Sequence, residues 1–468
     1  MSFFPRAFGL GVITVALCHC SSTGSADSAG PTVPVTPPDT SPSAPVIPPP
    51  SGEFQTAVPP IDLNVILARP TATGITMSIM SGTARDVRVT WSPGNGDLTR
   101  RVAAGIPLHL PITGLSPNQS YRYRVAAGSS VVDGVMRTAR SRGQPFRFVM
   151  QADSHLDAGS SLPIYTAALG NMVADSADFL IDLGDTFMTD KYAVYQNALA
   201  QFYAQRHYLG LVGRTTPLFM VQGNHDGEQG WQSVLAPWSA AQRLRYFPGI
   251  GAGDNYSGLP GAPNAYAFAW GDATFIMLDP FAATITKPGS TGWDWTLGKA
   301  QYDWLAATLA QSATPFTFVF LHHLVGGIGG AEARGGAEAS VLYEWGGSNA
   351  DGTAGFAARR AGWLRPIHDL LRQYGVTAVF HGHDHLYVHQ VRDGMTYQEV
   401  PQPSFARENA TTSAADYGYR SGTLLGSSGH VRVSVNGTQA VVEYVRARAS
   451  AGNGDVIHRY TLAPLPRQ

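Results

Sequence analysis

The sequence has almost no cysteine and no excess of charge of either sign. Two of its 468 residues are cysteines, Cys18 and Cys20, and both precede the segment expected to fold, so no disulfide can hold the folded part together. The formal net charge is -1 and charged residues make up 14% of the chain, which leaves no basic patch for nucleic acid. Glycine (52) and proline (32) are abundant instead. Long loops and two or three domains are therefore expected rather than an all-helical protein.

The N-terminal residues are typical of an export signal. Arg6 precedes an apolar run at 7–17, which is too short to span a membrane as a mature helix. We therefore predict a signal peptide at 1–20 and an exported protein that is periplasmic, anchored at the cell surface or secreted. Residues 21–53 are mostly Pro, Ser, Thr and Gly, which predicts a disordered linker.

The two cysteines allow two interpretations of this signal. A lipidated cysteine would tether the protein to a membrane, and the linker that follows favours such a tether slightly. A lipoprotein signal places a small residue before the modified cysteine, whereas Leu17 precedes Cys18 and His19 precedes Cys20. The alternative is an ordinary cleaved signal that removes both cysteines.

Residues 54–142 predict a small all-β domain. Apolar residues alternate with polar ones at 75–79, 87–91 and 121–125, as in strands with one buried face. The segment 114–117 followed by Tyr121 resembles the tyrosine corner of fibronectin type III and related sandwiches. We expect a fibronectin type III-like β-sandwich that serves mainly to cover one side of the larger domain, with a separate recognition role as the alternative.

From 143 to 468 strand-like runs alternate with helical periodicity. Helices are predicted at 162–173, 192–208, 297–309 and 363–374, and hairpin turns at 271–272 and 436–437. The expected fold class is α/β (α+β), a sandwich of mixed sheets flanked by helices and preceded by the all-β domain. Two glycine-rich insertions, 227–264 and 325–358, show no clear periodicity, and loops of such length are usually functional or disordered.

Side chains that can bind metal follow each of five apolar runs. Open α/β sheets place their ligands at this edge. A single Asp or His at a strand end is more often a cap, but five such segments in one chain indicate a shared site. The segments are Asp153-Ser154-His155, Gly184-Asp185, Gly223-Asn224-His225-Asp226, His322-His323 and Gly382-His383-Asp384-His385.

The residue types indicate the class of ion. They offer carboxylate, amide and imidazole groups without thiolate, a set that suits Fe, Mn or Zn. Asp153 and His155 are two apart at a strand end, so we expect their side chains on one side, sharing an ion. The same spacing applies to His383 and His385. Seven ligands exceed the needs of one tetrahedral ion, so we predict two divalent or trivalent ions with a carboxylate between them.

In order and in kind, these segments resemble the calcineurin-like metallophosphoesterase superfamily. Together with the β-sandwich, the chain is similar over 54–465 to the arm that includes purple acid phosphatases. The resemblance implies that His225 is a catalytic group rather than a ligand, donating to the substrate phosphate or protonating the leaving oxygen. It implies that Asp153, His155 and His385 hold one ion, that Asn224, His322 and His383 hold the other, and that Asp185 bridges them.

Two positions depart from purple acid phosphatases. Met188 stands where those enzymes have a tyrosine that binds ferric iron, and His155 stands where their first motif ends in glycine, so the coloured iron-tyrosinate is not expected. In other branches an aspartate at position 188 orients the histidine equivalent to His225. Since Met188 cannot do so, Asp190 or Asp226 is the candidate for this role.

Other residues near the motifs have alternative interpretations. His323 could be the ligand in place of His322, although the family uses the first of the pair. His381 could orient a neighbour through a hydrogen bond or cap a strand. Arg334, in the second insertion, could bind phosphate or be a solvated loop arginine. The expected substrate-binding residues are Asn224, His225 and His323.

These expectations describe an exported hydrolase of small phosphate esters. By the resemblance, a metal-bridging hydroxide attacks phosphorus in line without a covalent enzyme intermediate, on a monoester or a diester. One alternative is a non-catalytic surface or binding protein on the same fold, and another is a protein with a single structural metal. Hydrolysis is favoured because every expected ligand position is filled. No oligomeric state is indicated.

Overall fold

The computed structural model describes residues 44–50, 52–250, 256–407 and 409–468. The predicted signal peptide at 1–20 lies outside the described residues, as does the linker from 21 to 43. The described linker residues 44–50 and 52–53 contain no helix or strand. Within the described ranges, no helix has the length and apolar character needed to cross a membrane.

Seven antiparallel strands form an N-terminal β-sandwich. One sheet contains β1 (Leu63–Ala68), β2 (Gly74–Ser81) and β5 (Leu108–Thr113), and the other contains β3 (Arg85–Ser92), β4 (Gly96–Val102), β6 (Ser120–Ala127) and β7 (Ser130–Arg137). Val65, Met77, Val89 and Val125 meet in the core between them. The backbone N–H of Ser116 donates to the Tyr121 hydroxyl at 2.7 Å, the bond expected of a tyrosine corner.

A six-stranded mixed sheet begins the larger domain. Its strands are β8 (Phe146–Gln151), β9 (Phe179–Asp182), β10 (Leu218–Met220), β19 (Gly429–Asn436), β20 (Gln439–Arg446) and β21 (Val456–Leu462). They lie in the order β10-β9-β8-β19-β20-β21. Strands β8, β9 and β10 are parallel, so their carboxyl ends meet at one edge.

An eight-stranded mixed sheet packs on the first. Its strands are β11 (Tyr256–Leu259), β12 (Ala262–Trp270), β13 (Ala273–Met277), β14 (Phe316–Phe320), β15 (Ala378–His381), β16 (Leu386–Arg392), β17 (Met395–Glu399) and β18 (Thr423–Gly426). Their order is β11-β12-β13-β14-β15-β17-β16-β18, with β13, β14, β15 and β17 parallel. The predicted hairpin turns at 271–272 and 436–437 join β12 to β13 and β19 to β20.

The core between the two large sheets is rich in phenylalanine. Phe148 of β8 has its ring centroid 5.1 Å from that of Phe275 and 5.8 Å from that of Phe318, both on the opposite sheet. The alternate residue Val149 faces the helices instead. Because central strands are buried on both faces, their sequences are continuous apolar runs, and these strands can be recognised from the sequence.

Helices cover the outer faces of both sheets. They are α1 (Leu162–Ala174), α2 (Leu199–Gly213), α3 (Leu235–Tyr246), α4 (Gly298–Gln311), α5 (Tyr343–Gly346), α6 (Phe356–Arg359) and α7 (Ile367–Gln373). Helices α1 and α2 pack against the six-stranded sheet, and α4 and α7 pack against the eight-stranded sheet. The predicted class, an α/β sandwich of mixed sheets preceded by a β-sandwich, is confirmed.

A buried arginine joins the β-sandwich to helix α2. Arg206 is fully buried; its guanidinium donates to Asn64 Oδ1 at 2.7 Å, to Ser78 Oγ at 2.8 Å, to the Ser78 carbonyl at 2.7 Å and to the Tyr246 carbonyl. No carboxylate among the described residues pairs with it. Burial lowers the pKa of Arg206 to about 9. The polar face of β2 is therefore covered by the larger domain rather than by solvent.

Two helix predictions need correction, and one helix was not predicted. The regular helix predicted from 192 begins only at Leu199, and the one predicted from 363 begins at Ile367 because Pro366 holds an extended backbone. The insertion at 227–264 contains α3, which the sequence did not reveal because two of its four buried residues, Ser239 and Arg243, are polar. Arg243 pairs there with Glu228 at 2.6 Å.

Candidate metal centre

The candidate metal-binding side chains lie on turns that leave the carboxyl ends of parallel strands. Asp153 follows β8, Asp185 follows β9, Asn224 follows β10, His322 follows β14 and His383 follows β15. The turns are tied across the two sheets, since the N–H of residue 382 donates to the His322 carbonyl at 2.9 Å and that of His383 donates to Asp153 Oδ2 at 2.9 Å. Residues distant in sequence are thereby held at one edge.

Strand alternation does not bring the paired ligands together, contrary to expectation. Asp153 and His155 have φ of 60° and 50°, and His383 and His385 have φ of 84° and 58°, so all four are in the left-handed region. Non-glycine residues adopt this region rarely, and it costs energy that the surrounding contacts must offset. The two pairs do converge, but through tight left-handed turns.

One group of candidate ligands consists of Asp153, His155 and His385. Their ligand atoms all lie within 4.8 Å of one another. His385 Nε2 is 3.7 Å and His155 Nε2 is 3.9 Å from Asp153 Oδ1. Asp153 Oδ1 and His155 Nε2 are buried without a hydrogen-bond partner among the described residues. Buried polar atoms without partners are costly, so these two facing atoms fit a cation between them.

The second group consists of Asp185, His322 and His383, also within 4.8 Å of one another. His322 Nδ1 lies 2.9 Å from the Leu183 carbonyl, so its N–H donates there and leaves the Nε2 lone pair for a ligand. That Nε2 is 2.9 Å from Asn224 Oδ1 and 3.3 Å from Asp185 Oδ2. Asn224 thus lies beside this group.

Asp185 belongs to the second group and also faces the first group. Its Oδ2 is 3.3 Å from His322 Nε2 in the second group and 3.6 Å from His155 Nε2 in the first. All seven residues expected as ligands are brought together, and a carboxylate shared by two groups is the arrangement that a two-metal centre needs.

Electrostatics of the metal-free centre favour bound cations. Burial raises the pKa of Asp153 to about 6. Although burial raises the pKa of Asp185, the charges of His322 and His225 hold it well below its usual value. Burial lowers the pKa of His155, but contacts with Asp157 and Asp185 outweigh it and raise that pKa to about 10. In the same way the charge of Asp185 raises the pKa of His322 to about 9 against burial. The raised pKa values of the two rings show that the neighbouring carboxylates attract positive charge to this centre.

His225 is held beside the two groups and belongs to neither. Its Nδ1 is 3.1 Å from Asp190 Oδ1 and 3.2 Å from Oδ2, and its backbone N–H donates to Asp185 Oδ1 at 2.7 Å. Asp190 therefore occupies the orienting role that Met188 cannot fill. Met188 is buried and has φ of 46°.

Asp226 has a different role from the one considered for it. Its carboxylate accepts hydrogen bonds from four backbone N–H groups instead of the His225 ring, at 2.7 to 3.1 Å. Burial, together with the charge of Asp185, raises the pKa of Asp226 to about 7. Asp226 thus fixes the turn after β9 to the turn after β10. The four donors belong to Asp185, Thr186, Phe187 and Gly223.

Two residues of uncertain role are now placed. His381 Nδ1 lies 2.6 Å from Glu399 Oε2, and Glu399 Oε1 accepts from the Asp384 N–H at 2.9 Å, so His381 supports the turn through Glu399. Arg334 Nη1 donates to the His383 carbonyl at 2.7 Å and to Asp384 at 3.2 Å. Arg334 thus anchors the ligand turn and is not a solvated loop arginine.

Two carboxylates of the centre escaped sequence reasoning. Asp157 lies 3.3 Å from His155 Nδ1, and Glu399 supports His381 from the end of β17. The position of Asp157, two residues after His155, is the sequence signal that could have identified it. Glu399 ends a strand that was not assigned, so nothing pointed to it.

A cavity of about 440 Å³ opens beside the centre. Its floor includes Asn224, His225, His323 and His383. His323 belongs to neither ligand group; its ring lies 4.6 Å from that of Trp295, and burial lowers its pKa to about 3, so it is neutral. The cavity has the size of a small-molecule site. The remaining lining includes Asp190, Lys191, Trp231, Lys287, Glu332 and Arg334.

Comparisons with known proteins agree with this geometry. The chain is similar in fold to PhoD, with 15% identity, a TM-score of 0.63 and coverage of 89% of this chain and 92% of that one. It is also similar to the purple acid phosphatase PPD1 from yellow lupin (Lupinus luteus) seeds, with 15% identity, a TM-score of 0.57 and coverage of 85% and 73%. No curated protein matches the sequence. The sequence model of the calcineurin-like phosphoesterases matches residues 146–387, more than half of the chain. The chain therefore belongs to the calcineurin-like phosphoesterase family of metal-dependent phosphoester hydrolases.

Proposed function

We propose that this protein is an exported hydrolase of small phosphate esters with a two-metal centre. The observation that carries the proposal is the position of Asp185 Oδ2, which faces both ligand groups at 3.3 and 3.6 Å. In the proposed assignment Asp185 would hold both ions when they are bound. Asp153, His155 and His385 hold one ion, and Asn224, His322 and His383 hold the other.

Two ions held by these residues would supply a water of lowered pKa as nucleophile and would offset the charge on the phosphoryl oxygens. His225 lies at the cavity floor, with Nδ1 held by Asp190, so its Nε2 is the atom that donates to the phosphate or to the leaving oxygen. Asn224 and His323 complete the floor on which the phosphate rests. The neutral His323 orients oxygens without adding charge.

Metal analysis combined with hydrolysis assays tests this proposal. Purified protein loaded with Mn²⁺, Zn²⁺ or Fe²⁺ is expected to bind about two ions per chain and to hydrolyse an aryl monoester or diester. Asp185→Asn should lose both activity and metal, because the bridging charge is removed. Asp97→Asn is the matched control, since Asp97 is an exposed partner of Arg88 on the β-sandwich. Wild-type activity and two ions in Asp185→Asn would overturn the bridging role. A single ion per chain in the unchanged protein would indicate a structural site.

The role of His225 requires a separate variant. His225→Ala is expected to keep both ions and to lower kcat about 10²- to 10⁴-fold, the usual range for general acid-base help. A fall in metal content instead would make His225 a ligand.

Export is tested on the full chain. The signal at 1–20 is expected to be cleaved, which mass spectrometry of the mature N-terminus reveals. If lipid is attached, replacing Cys18 and Cys20 by serine should move the protein from the membrane fraction to the soluble fraction. An uncut N-terminus in the cytoplasm would refute export without affecting the hydrolase assignment.

A further inference from the structure

Lysine is scarce in this chain, and two of its three lysines lie at the candidate centre. Of the 32 lysine and arginine residues, only Lys191, Lys287 and Lys299 are lysines. Lys191 and Lys287 line the 440 Å³ cavity. Lys299 instead pairs with Asp303 on α4 at 2.6 Å. A lysine is a compact charge on a flexible stem, so it can follow an anionic group that arginine would bind only in fixed geometry.

The two lysines reach the cavity on separate, anchored loops. Lys191 ends a single 3₁₀ turn, Thr189–Lys191, directly after the carboxylate that holds His225. Lys287 lies on the loop between β13 and α4. The N–H of residue 230 donates to the Phe281 carbonyl at 3.1 Å, which ties the turn carrying Trp231 to the start of that loop. Both lysines therefore lie on loops that border the cavity.

The acidic residues that line the cavity already contact basic side chains of the site. Asp190 contacts His225 at 3.1 Å, and Glu332 contacts Arg334 at 3.5 Å. Across the described ranges, neither Lys191 nor Lys287 forms an ion pair. These two lysines are thus the cationic groups of the cavity without a protein carboxylate partner.

The cavity also exceeds the needs of one phosphate group. A cavity of about 440 Å³ has the size that accommodates a whole small molecule, which is more than a phosphate group alone requires. Trp231 forms part of the wall and packs edge-on against Trp295, with ring centroids 5.7 Å apart. The space beyond the scissile phosphate is therefore built to receive a substantial alcohol part.

We propose that Lys191 and Lys287 bind a second anionic group carried by the alcohol part of the ester. The substrate class is then a phosphate ester that bears a further carboxylate or phosphate. This inference rests on the proposed hydrolase function and adds its specificity. Both side chains are exposed, so their attraction is screened by salt.

A pair of substrates that differ by one charge tests the proposal. The probes are 4-carboxyphenyl phosphate and its neutral counterpart of the same shape, 4-carbamoylphenyl phosphate, hydrolysed by the metal-loaded full chain. The kcat/KM ratio of the carboxylate ester to the carbamoyl ester is expected to be about fivefold higher at low salt than at 1 M salt, and this change should lie in KM. The ratio at 1 M salt accounts for the different leaving-group pKa values of the two phenols. Comparing two substrates within one enzyme cancels any loss of folded protein.

Single variants assign the preference to the two lysines. Lys191→Met and Lys287→Met should each lower this salt-dependent change from about fivefold to about twofold, because one ammonium group remains, and the corresponding arginine variants should retain most of it. Lys299→Met is the matched control and should keep the wild-type ratio. A wild-type ratio that does not change with salt, or a salt dependence unchanged in both methionine variants, overturns the inference while leaving the hydrolase function intact. Failure of the loaded enzyme to hydrolyse either ester would refute the proposed function itself.

Discussion

Replacing Asp226 by asparagine should loosen the metal-binding turns without removing a metal ligand. The two oxygens of Asp226 each accept two backbone N–H groups: Oδ1 from Thr186 and Phe187, Oδ2 from Asp185 and Gly223. An amide has one acceptor oxygen, so in Asp226→Asn two buried donors would face an NH₂ group. Each buried donor left without an acceptor costs about 1–3 kcal/mol.

Neutralising Asp226 also removes its repulsion from Asp185, which offsets part of this cost. We therefore expect the free energy of unfolding of the metal-free protein to fall by about 2–3 kcal/mol, at the lower end of the range for two lost acceptors. The measurement is urea unfolding in the presence of a chelator, so that ions do not contribute to stability. Because Asp185 and His225 are positioned by the same turns, metal affinity should fall as well.

Asp272→Asn is a matched control for this experiment. Asp272 is also buried, but among the described residues its carboxylate accepts one backbone N–H, from residue 143 at 3.1 Å, which an amide oxygen can still accept. Its other contact, with the exposed Arg142 at 3.6 Å, is a surface ion pair of small energy. The expected loss is below about 1 kcal/mol. If Asp226→Asn is no less stable than Asp272→Asn, the four backbone donors do not depend on the Asp226 carboxylate and the reasoning is refuted.

Two further predictions concern His225 and the protons of the centre. Asp190→Asn keeps a hydrogen-bond acceptor for His225 but removes the negative charge of Asp190. The kcat should therefore fall about tenfold for an alkyl ester and less for a 4-nitrophenyl ester, whose leaving group needs little protonation. Equal losses of kcat on both esters would argue against general acid help by His225. The pKa values of His155 and His322, about 10 and about 9, mean that both rings are protonated at pH 7 without metal and must release their protons to bind it. Calorimetry of metal binding in buffers of different ionisation enthalpy should then show about two protons released. The metal affinity should rise about 100-fold per pH unit near neutrality and level off above pH 10. A metal affinity that does not depend on pH would contradict this.

The expected ligands were accessible from sequence because each follows an apolar run that forms a buried strand. Asp153, Asp185 and His322 come directly after β8, β9 and β14, and parallel strands present their carboxyl ends at one edge. Helix α3 was missed for the opposite reason, since Ser239 and Arg243 interrupt its buried stripe. Periodicity detects apolar burial and not burial through ion pairs.

Finer features of the centre depended on backbone geometry that no pattern encodes. Asp190 and Asp226 were equally placed as partners of His225, and only the conformation of the two turns separates them. The left-handed residues at 153 and 155 likewise replace the alternation expected of a strand end. Local propensity gives way at such positions because contacts across the two sheets determine the backbone.

Arg206 constrains how this chain can be recombined with others. Its charge is satisfied by oxygens that come partly from the β-sandwich, Asn64 and Ser78, and partly from Tyr246. A chimera that joined a foreign module to residues 143–468 would leave this guanidinium facing acceptors it does not match. The sandwich and the hydrolase would therefore be inherited together, and exchange of one would succeed only with compensating change at position 206.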